Sequence, residues 1–409
     1  MSYLKSDKLF DKIESKKLFN VWIFILSVFL IPRGQDYRTY FAIVFIIGVI
    51  FFYNSEININ YTSKIALLLT IWVTFFTLFR LFSLQISLEK DISEVARLVL
   101  PTYLIVMSYS FKDLTYAKLL SILAVIVSID FAITLMEFNV ALTDSTSIYK
   151  FIKTNYWAET HWVSRGRSKG LFSGPGQHAS SSVFFFTLFL SNYYFGKNVN
   201  KIKTLLIIFM LIFINIATLS RTGLTCLSIS FLVLTLIRLK NIKKKDILLI
   251  LLLVISLSIG LNYFITNNSK KLVRVSGYVG RGEVDISARQ RIWDGLINKA
   301  YENESYFLIG WGKSYFKELA KLTDNEYIFI LLFYGLIFFV IFFAITLFYI
   351  FNFMITKEEK TATEISLFTL ILVGYIFAIP STFFFFIQNI ILFSILINII
   401  SNEKQIRLE

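Results

Sequence analysis

The stretch NEYIFILLFYGLIFFVIFFAITLFYIFN, residues Asn325–Asn352, decides the class of fold. After Glu326 it contains no charged residue, and Phe, Ile and Leu fill most of its positions. A helix needs about 20 apolar residues to cross the hydrocarbon core of a bilayer. The stretch therefore predicts a membrane-spanning helix and indicates that the chain is a membrane protein.

The composition of all 409 residues agrees with this prediction. Hydrophobic residues make up 56% of the chain and charged residues 17%, whereas a soluble protein has about 25% charged residues. The polar, basic N-terminus lacks a small-residue cleavage pattern, so we expect no cleaved signal peptide. With one cysteine, Cys226, and two histidines, His161 and His178, we expect no disulfide framework, no metal site and no cofactor.

Apolar runs of similar length recur and predict an all-α, polytopic membrane fold with about twelve spanning helices. The last two runs merge, and Pro380, Ser381 and Thr382 supply the break between them. We place the helices at 18–34, 38–54, 64–84, 93–109, 116–138, 178–195, 203–219, 222–239, 247–266, 325–352, 363–379 and 382–400.

These helices divide the chain into five parts. Two segments without a spanning helix, 139–177 and 267–324, are predicted to be large loops. The other parts are a five-helix N-terminal part, 1–138, a four-helix part, 178–266, and the C-terminal helices with their tail, 325–409.

Lysine residues determine the predicted orientation. With the N-terminus inside, the inner segments hold lysine clusters such as Lys5–Lys17, Lys197–Lys203 and Lys240–Lys245, whereas the short outer turns hold few basic residues. Cytoplasmic loops carry an excess of Lys and Arg. We therefore expect a multi-pass plasma-membrane protein that contacts lipids, with cytoplasmic N- and C-termini and both long loops outside. The net charge of +14 then belongs largely to the inner face and does not indicate nucleic-acid binding.

Arginine, in contrast, concentrates in the two outer loops. The relevant residues are Arg165 and Arg167 in the first loop and Arg281, Arg289 and Arg291 in the second. Arginine binds phosphate bidentately and keeps its charge when partly buried. The set predicts a site for an anionic group at the membrane surface, such as a lipid-linked diphosphate. For any single arginine, the alternative is a surface ion pair with Glu283, Asp285 or Asp294.

The turn-rich segment 165–182 joins the first loop to the sixth helix. Its glycines permit close backbone approach, and Ser180–Ser182 open the helix with small side chains that suit tight packing or ligand access. The free N–H groups of the helix N-terminus suit an anion. An ordinary loop-to-helix cap is the alternative.

Charged side chains also lie within or beside the predicted helices. In the turn Leu219–Thr225, Ser220 is a predicted N-cap, and Arg221 either extends to the lipid headgroups or joins the anion site. Asp130, in the fifth helix, is expected either to pair with an intramembrane arginine or to act in catalysis. The intramembrane arginines are Arg80 and Arg97.

Two carboxylates, Asp324 and Glu326, stand at the mouth of the tenth helix. They are predicted to face the same aqueous zone as the arginines, where a general base can reach a substrate hydroxyl. An aspartate at this position is also an ordinary helix cap.

Four segments together resemble the O-antigen polymerase and ligase superfamily of bacterial envelope proteins. Arg167–Gly170 with Phe172 and Pro175 is similar to an Arg-x-x-Gly-x-Phe-x-x-Pro pattern, and Leu219–Gly223 is similar to a Ser-Arg-x-Gly turn. Ser287–Trp293 with Leu308–Gly312 is similar to an Arg-to-Trp segment and a following Gly-x-Gly. Asp324–Tyr327, with Gly335 beyond it, lies where ligases carry His-Asn-x-Tyr. The matches run from about residue 160 to 340, and the first five helices match only in type and number.

The resemblance implies a metal-independent, GT-C-like glycosyltransferase. It would act on undecaprenyl-diphosphate-linked oligosaccharides at the outer face of the bacterial plasma (inner) membrane, with a flippase and a chain-length regulator as partners. The residues implied to bind the donor diphosphate are Arg165, Arg167, Arg221, Arg289 and Arg291. Aspartate in place of the ligase histidine favours a polymerase, and it leaves the catalytic base open among Asp324, Glu326 and His161.

Two rival functions stay open. A ligase would transfer the finished chain to lipid A core, and a flippase would carry lipid-linked oligosaccharides across the membrane. Transporters often contain inverted repeats and broken helices. The sequence has no convincing internal repeat, and its polar residues concentrate in the two outer loops.

Overall fold

The computed structural model of the chain describes residues 18–31, 37–53, 57, 59, 61–84, 89–138, 167–172, 174–197, 199–239, 282–316, 325–356 and 359–408. Within these ranges every regular element is a helix, and no β-strand occurs. The predicted all-α class is therefore confirmed for the described part of the chain.

The helices are named here in chain order. They are α1 (Leu18–Leu30), α2 (Tyr37–Phe52), α3 (Tyr61–Leu84), α4 (Glu89–Val106), α5 (Tyr116–Phe138), α6 (Pro175–Phe195), α7 (Lys201–Ala217), α8 (Arg221–Arg238), α9 (Gly282–Tyr301), α10 (Glu326–Ile355), α11 (Ala362–Phe377) and α12 (Ile387–Leu408). Short 3-10 turns follow α4 and α9, at Ser108–Phe111 and Glu304–Tyr306.

Four of the described helices, α3, α5, α8 and α10, are long and apolar enough to cross a membrane. Helices α1 and α11 and the last part of α2 are shorter apolar helices. Large apolar side chains on the outer faces of the long helices are exposed, such as Leu68, Phe75 and Phe82 on α3 and Phe348 on α10. Contiguous apolar surface of this kind is stable against lipid and unstable against water. The chain is therefore membrane-embedded.

Most predicted spanning ranges coincide with a described helix, and 247–266 lies outside the described residues. The predicted break at Pro380 is confirmed, and it extends to Phe386 before α12 begins. The segment 267–324, predicted as a large loop without a spanning helix, contains the 20-residue helix α9. Buried Leu296 and Ala300 of α9 pack with Trp311 against α10, so α9 is part of the folded body.

Helix α6 lies at the centre of the described bundle and packs against α5, α7, α8 and α11. Its Ser180–Ser182 are buried. Ser182 accepts a hydrogen bond from Asn215 of α7 (2.7 Å), and Ser180 accepts one from Asn389 of α12 (2.8 Å). Small residues let helices approach closely in a membrane. The tight packing predicted for this serine run is confirmed.

Two interhelical hydrogen bonds define the two ends of the described bundle. At the end that we call the loop end, α10 begins beside the end of α11, and the Glu326 N–H donates to the Ala378 carbonyl (2.9 Å). At the opposite end, α6 ends beside the start of α11, and the Ser191 hydroxyl donates to the Ala362 carbonyl (2.9 Å). The first loop segment, the start of α8 and the start of α10 all belong to the loop end.

Helix α10 is broken at Gly335, whose backbone is not helical (φ 88°, ψ 169°). The segment Phe307–Trp311 lies against the break. The Trp311 N–H donates to the Leu332 carbonyl (2.9 Å), and the Leu336 N–H donates to the Phe307 carbonyl (3.0 Å). Backbone polar groups inside a membrane have to be paired within the protein. The segment therefore supplies hydrogen bonds that the broken helix lacks.

Gly335→Ala is expected to destabilise the protein by an amount on the order of 1–3 kcal/mol, because only glycine adopts this backbone without strain. An added Cβ would also lie 2.4 Å from the Gly310 nitrogen. The measurement is the thermal unfolding midpoint, followed with a thiol-reactive dye that reports exposure of the buried Cys226.

The matched control is Gly295→Ala in α9, where an added Cβ meets nothing within 4 Å. Its midpoint should stay the same or rise, since alanine is the better helix former. Equal midpoints for the two variants would contradict the close contact at Gly335.

Candidate functional site

The first arginine-bearing segment, Arg167–Phe172, is held at the loop end by a carboxylate of α5. Glu137 accepts hydrogen bonds from the Ser168 hydroxyl and from the backbone N–H groups of Lys169 (3.1 Å) and Gly170 (3.2 Å). The carboxylate is buried. Three hydrogen bonds converge on this one carboxyl group, so Glu137 fixes the backbone of the segment.

A second carboxylate of α5, Asp130, binds the same segment nearer the middle of the helix. Its Oδ1 accepts the Leu171 N–H (2.8 Å), and its Oδ2 lies 2.7 Å from Nε2 of His178 in α6. The His178 ring stacks on Phe172, with 5.2 Å between ring centroids. The arginine partner expected for Asp130 was wrong: the partner is a histidine, and the pair joins α5 to α6 through the loop segment.

Gly170 is the point where the segment approaches this pair most closely. Its φ is 51°, and an added Cβ would lie 2.1 Å from Oδ1 of Asp130 and 2.7 Å from the His178 ring. A side chain cannot fit there. The close backbone approach that the glycines of this segment predict is confirmed at Gly170.

The segment also contacts the turn between α7 and α8. Nε of Arg167 donates to the Thr218 carbonyl (3.0 Å), and the Ser168 N–H donates to the Ala217 carbonyl (2.9 Å). Arg167 is half-buried. The guanidinium plane is therefore oriented by a fixed carbonyl, at a position about fifty residues away in sequence.

The turn itself has the predicted cap. The Ser220 side chain accepts the Gly223 N–H (3.1 Å) at the start of α8, which confirms Ser220 as the N-cap. Arg221 is the first residue of α8 and is exposed. An added Cβ on Gly223 would lie 2.8 Å from the Ala179 side chain, so the close packing of α8 on α6 places Arg221 at the loop end near the Arg167 segment.

The second loop is held by charged residues in the same manner. Arg80 of α3 donates to the carbonyls of Ile309 (3.0 Å) and Gly310 (3.2 Å). Asp91 of α4 accepts the Ser314 N–H (2.8 Å). An added Cβ on Gly312 would lie 2.7 Å from the Asp91 carboxylate. The Gly-x-Gly segment is therefore fixed between α3, α4 and α10.

Glu94 of α4 completes this second cluster. Its carboxylate lies 2.8 Å from Nζ of Lys313 and 3.1 Å from Nη1 of Arg97, and it accepts the Tyr334 hydroxyl at 3.0 Å. Its side chain is buried. Removal of one partner from such a buried network is more costly than the loss of a surface ion pair. The cluster ties the second loop to α4 and α10.

Glu326 occupies a comparable position at the start of α10. Its carboxylate accepts the backbone N–H groups of Phe383 (2.9 Å), Phe384 (3.0 Å) and Phe385 (2.6 Å), in the turn between α11 and α12. The residue is 1% exposed. Hydrogen bonds from these three N–H groups use both oxygens of the carboxyl group. The geometry assigns Glu326 to holding the turn.

The structure describes some of the other predicted site residues and leaves the rest outside the described ranges. Arg167 and Arg221 are described at the loop end. Arg289 and Arg291 lie on α9, and the positions of their side chains are outside the description. The residues that lie outside the described ranges altogether are His161, Arg165 and Asp324.

The sequence analysis did not predict the contact between Asp130 and His178. Both lie in apolar helices, and an ionisable residue in such a helix is a functional-site hypothesis by default. That signal was present for each residue, but it did not identify one as the partner of the other.

Chemically, the loop end presents Arg167, whose segment is held by buried carboxylates, and Arg221, at the capped start of α8. Arg167 is oriented by Thr218, and exposed Arg221 follows in the adjacent turn. Guanidinium groups held in advance can stabilise an anion without the cost of ordering flexible side chains. The arrangement suits an anionic group at the membrane surface. The described residues contain no cluster of three or more side chains that could hold a metal ion.

No family model matches the chain, and no curated protein matches it.

Gly170→Ala is expected to release the Arg167–Phe172 segment, because the added Cβ collides with Asp130 and His178. Trypsin cleaves after lysine and arginine, and Lys169 is fully buried in the wild-type protein. Limited trypsin digestion with mass spectrometry should detect cleavage after Lys169 in the variant and not in the wild-type protein.

Gly174→Ala is the control for Gly170→Ala. An added Cβ at Gly174 meets nothing within 4 Å, and its φ of −155° suits any residue. Wild-type resistance after Lys169 is expected in this variant. Cleavage at the same rate in the wild-type protein and both variants would contradict the docked segment.

Glu326→Gln is expected to lower the thermal unfolding midpoint, because the three buried N–H groups use both carboxyl oxygens, whereas glutamine has a single acceptor oxygen. A loss of about 1–3 kcal/mol is the expected scale for such a change. Exposed Glu304→Gln, in the short turn after α9, is the control and should keep the midpoint. An unchanged midpoint in Glu326→Gln together with lost activity would instead indicate a catalytic carboxylate.

Proposed function

We propose that the chain is a polysaccharide polymerase of the bacterial plasma membrane. It transfers a growing glycan from undecaprenyl diphosphate to a lipid-linked repeat unit at the outer face, in the synthesis of O-antigen or capsule. The loop end faces outward, and the N- and C-termini are cytoplasmic. A flippase delivers the repeat units, and a chain-length regulator acts as a further partner.

The observation that carries this proposal is the contact between two arginine-bearing motifs. The segment that begins at Arg167 and the turn that precedes Arg221 are joined by two hydrogen bonds, from Arg167 to Thr218 and from Ser168 to Ala217. Both motifs belong to the resemblance to O-antigen polymerases and ligases. Their contact supports a shared function for residues that are distant in sequence.

In the proposed reaction, a bond forms between the anomeric carbon of the donor glycan and a hydroxyl oxygen of the acceptor repeat. The bond between that carbon and the phosphate oxygen breaks, and the diphosphate leaves with the bonding electrons. Arg167 and Arg221, with Arg165, Arg289 and Arg291, stabilise the negative charge that develops on the diphosphate. The acceptor proton goes to the general base, for which Asp324, Glu326 and His161 are the candidates.

A transporter of lipid-linked oligosaccharides is the second candidate, and the break in α10 is the observation that favours it. Discontinuous helices are typical of transporter substrate sites. At Gly335, however, the backbone of Phe307–Trp311 pairs with the broken helix, so the break is occupied by the protein itself. A ligase is the third candidate, and it differs from the polymerase in the acceptor.

Arg167→Ala is expected to lower polymer formation about 100-fold, the scale observed when one donor to a developing anion is removed. Arg167→Lys should restore little of the activity, because lysine cannot bind phosphate through a planar fork. The measurement uses purified protein and a defined lipid-linked repeat, with products resolved by size. Longer products without lipid A core support a polymerase and exclude the ligase and transporter.

The matched control is Lys203→Ala, an exposed lysine at the opposite end that should keep full activity. The unfolding midpoint of each variant separates a folding defect from a lost contact with the diphosphate. Full activity in both Arg167 variants would contradict the proposed role.

The same comparison applies to α9. Arg289→Ala should shorten or abolish the polymer at unchanged protein level, and Arg289→Lys should rescue poorly. The neighbouring exposed Gln290→Ala is the control and should support normal chain length. Full polymer length in both Arg289 variants would exclude this arginine from the diphosphate site.

A further inference from the structure

The break in α10 shows which part of this helix crosses the membrane. The Tyr327 ring stacks on the Phe343 ring, with 5.4 Å between the ring centroids. In an unbroken helix these two residues would lie about 24 Å apart, so the two halves of α10 fold back on each other at Gly335. The crossing part is therefore 336–355. Its length is about 30 Å, which equals the thickness of the hydrocarbon core.

The exposure of side chains along α10 changes at the same residue. Every residue from 326 to 335 is buried or half-buried. The exposed large apolar side chains of the helix, such as Val340, Phe348 and Ile355, all follow Gly335. The charged run 357–360 comes directly after this apolar surface. The lipid-facing part of α10 thus extends from about Leu336 to Ile355, and Leu336 lies at the edge of the hydrocarbon.

The backbone that follows α9 is bound to α10 at this edge. The Leu336 N–H donates to the Phe307 carbonyl (3.0 Å), and the Ile337 N–H donates to the Leu308 carbonyl (3.2 Å). Phe307 and Leu308 therefore lie at the level where the hydrocarbon begins.

Helix α3 gives the same level independently. Arg80 donates to the carbonyls of Ile309 (3.0 Å) and Gly310 (3.2 Å). Arg80 lies two residues before the end of Thr62–Phe82, which is long and apolar enough to cross the membrane. The Phe82 side chain is 80% exposed. Lipid-facing surface on α3 thus reaches the level of the segment that follows α9.

Four large apolar side chains beside this level are exposed, and we call them the interfacial patch. They are Ile297 (37%) and Tyr301 (67%) in the last turns of α9, and Phe307 (42%) and Leu308 (52%) after it. Ile297 and Tyr301 are four positions apart and share one face of the helix. The patch lies over the small apolar core that α9 forms with α10. Neighbouring exposed side chains of this size are unfavourable in water.

Polar residues near the patch limit the depth to which it can enter a membrane. Asp294 in α9 and Glu302 and Glu304 in the turn after it are exposed. Charged groups are costly within the hydrocarbon. An amphipathic helix at a membrane surface buries its apolar face by only about 5–10 Å, at the boundary between headgroups and acyl chains. Tyr301 fits this boundary, where tyrosine is enriched.

We propose that the interfacial patch inserts into the boundary between headgroups and acyl chains of the membrane leaflet at the loop end. Lipid is the occupant that the structure favours, because the patch lies at the same level as the lipid-facing surfaces of α3 and α10. The insertion fixes the end of α9, the helix that carries Arg289 and Arg291, at the membrane surface. The proposal depends on membrane embedding and is independent of the proposed polymerase activity.

The test places an environment-sensitive fluorescent label at single introduced cysteines in the full-length protein, in lipid nanodiscs. The labelled variants are Tyr301→Cys and Leu308→Cys. The wild-type protein should take up no label, because Cys226 is buried. At both patch positions the emission should shift to shorter wavelength, as expected for an apolar environment. A nitroxide near the headgroup end of the lipid acyl chain should quench this emission strongly.

Two matched controls set the limits of the measurement. Asp294→Cys lies on the same helix at an exposed polar position, and its label should emit as in water and be quenched by iodide. Phe348→Cys lies on the exposed apolar part of α10, and a nitroxide near the end of the acyl chain should quench its label best. The size-exclusion profile of each variant confirms that it is folded.

Three results would overturn the proposal. Emission and iodide quenching at Tyr301→Cys and Leu308→Cys equal to those at Asp294→Cys would show that the patch faces water. Short-wavelength emission without quenching by lipid nitroxides would show that protein covers the patch, such as a second copy of the chain. Quenching with the depth profile of Phe348→Cys would place the patch in the middle of the hydrocarbon instead of at its boundary.

Discussion

Buried carboxylates that accept backbone N–H groups are the interaction on which the loop end depends. Glu137 and Asp130 hold the first loop segment, Asp91 holds the second, and Glu326 holds the turn between α11 and α12. Irregular backbone near a membrane needs partners from the protein, because lipid supplies none. A carboxylate can accept several N–H groups at once. Each carboxylate therefore lets a non-helical segment dock on the helix bundle.

This constraint gives the intramembrane charges a common purpose. Arg80 donates hydrogen bonds to backbone carbonyls, as the carboxylates accept them from backbone N–H groups. At the break in α10 at Gly335, backbone groups of the Phe307–Trp311 segment form the hydrogen bonds. A docked segment presents its side chains in fixed directions. Arg167 can thus bind an anion with little further ordering, which connects the packing of the helices to the proposed diphosphate site.

The sequence predicted apolar runs that mostly coincide with described helices, four of which are long and apolar enough to cross a membrane. It missed α9, whose residues alternate between apolar and charged and give no spanning signal. The Asp130–His178 pair joins residues 48 positions apart, and Glu326 meets N–H groups 57 to 59 positions away. Such pairings depend on how helices pack, which a hydropathy pattern does not specify. The sequence therefore did not show that the Glu326 carboxyl group holds the turn between α11 and α12.

The most direct measurement of the central claim is amide hydrogen exchange of the wild-type protein in lipid nanodiscs. Slow exchange, comparable to that of the interior of α6, is expected for Lys169, Gly170 and Leu171, whose N–H groups bind Glu137 and Asp130. Exchange at the rate of a free loop would show that the carboxylates do not hold the segment, and the proposed orientation of Arg167 would then lose its physical basis.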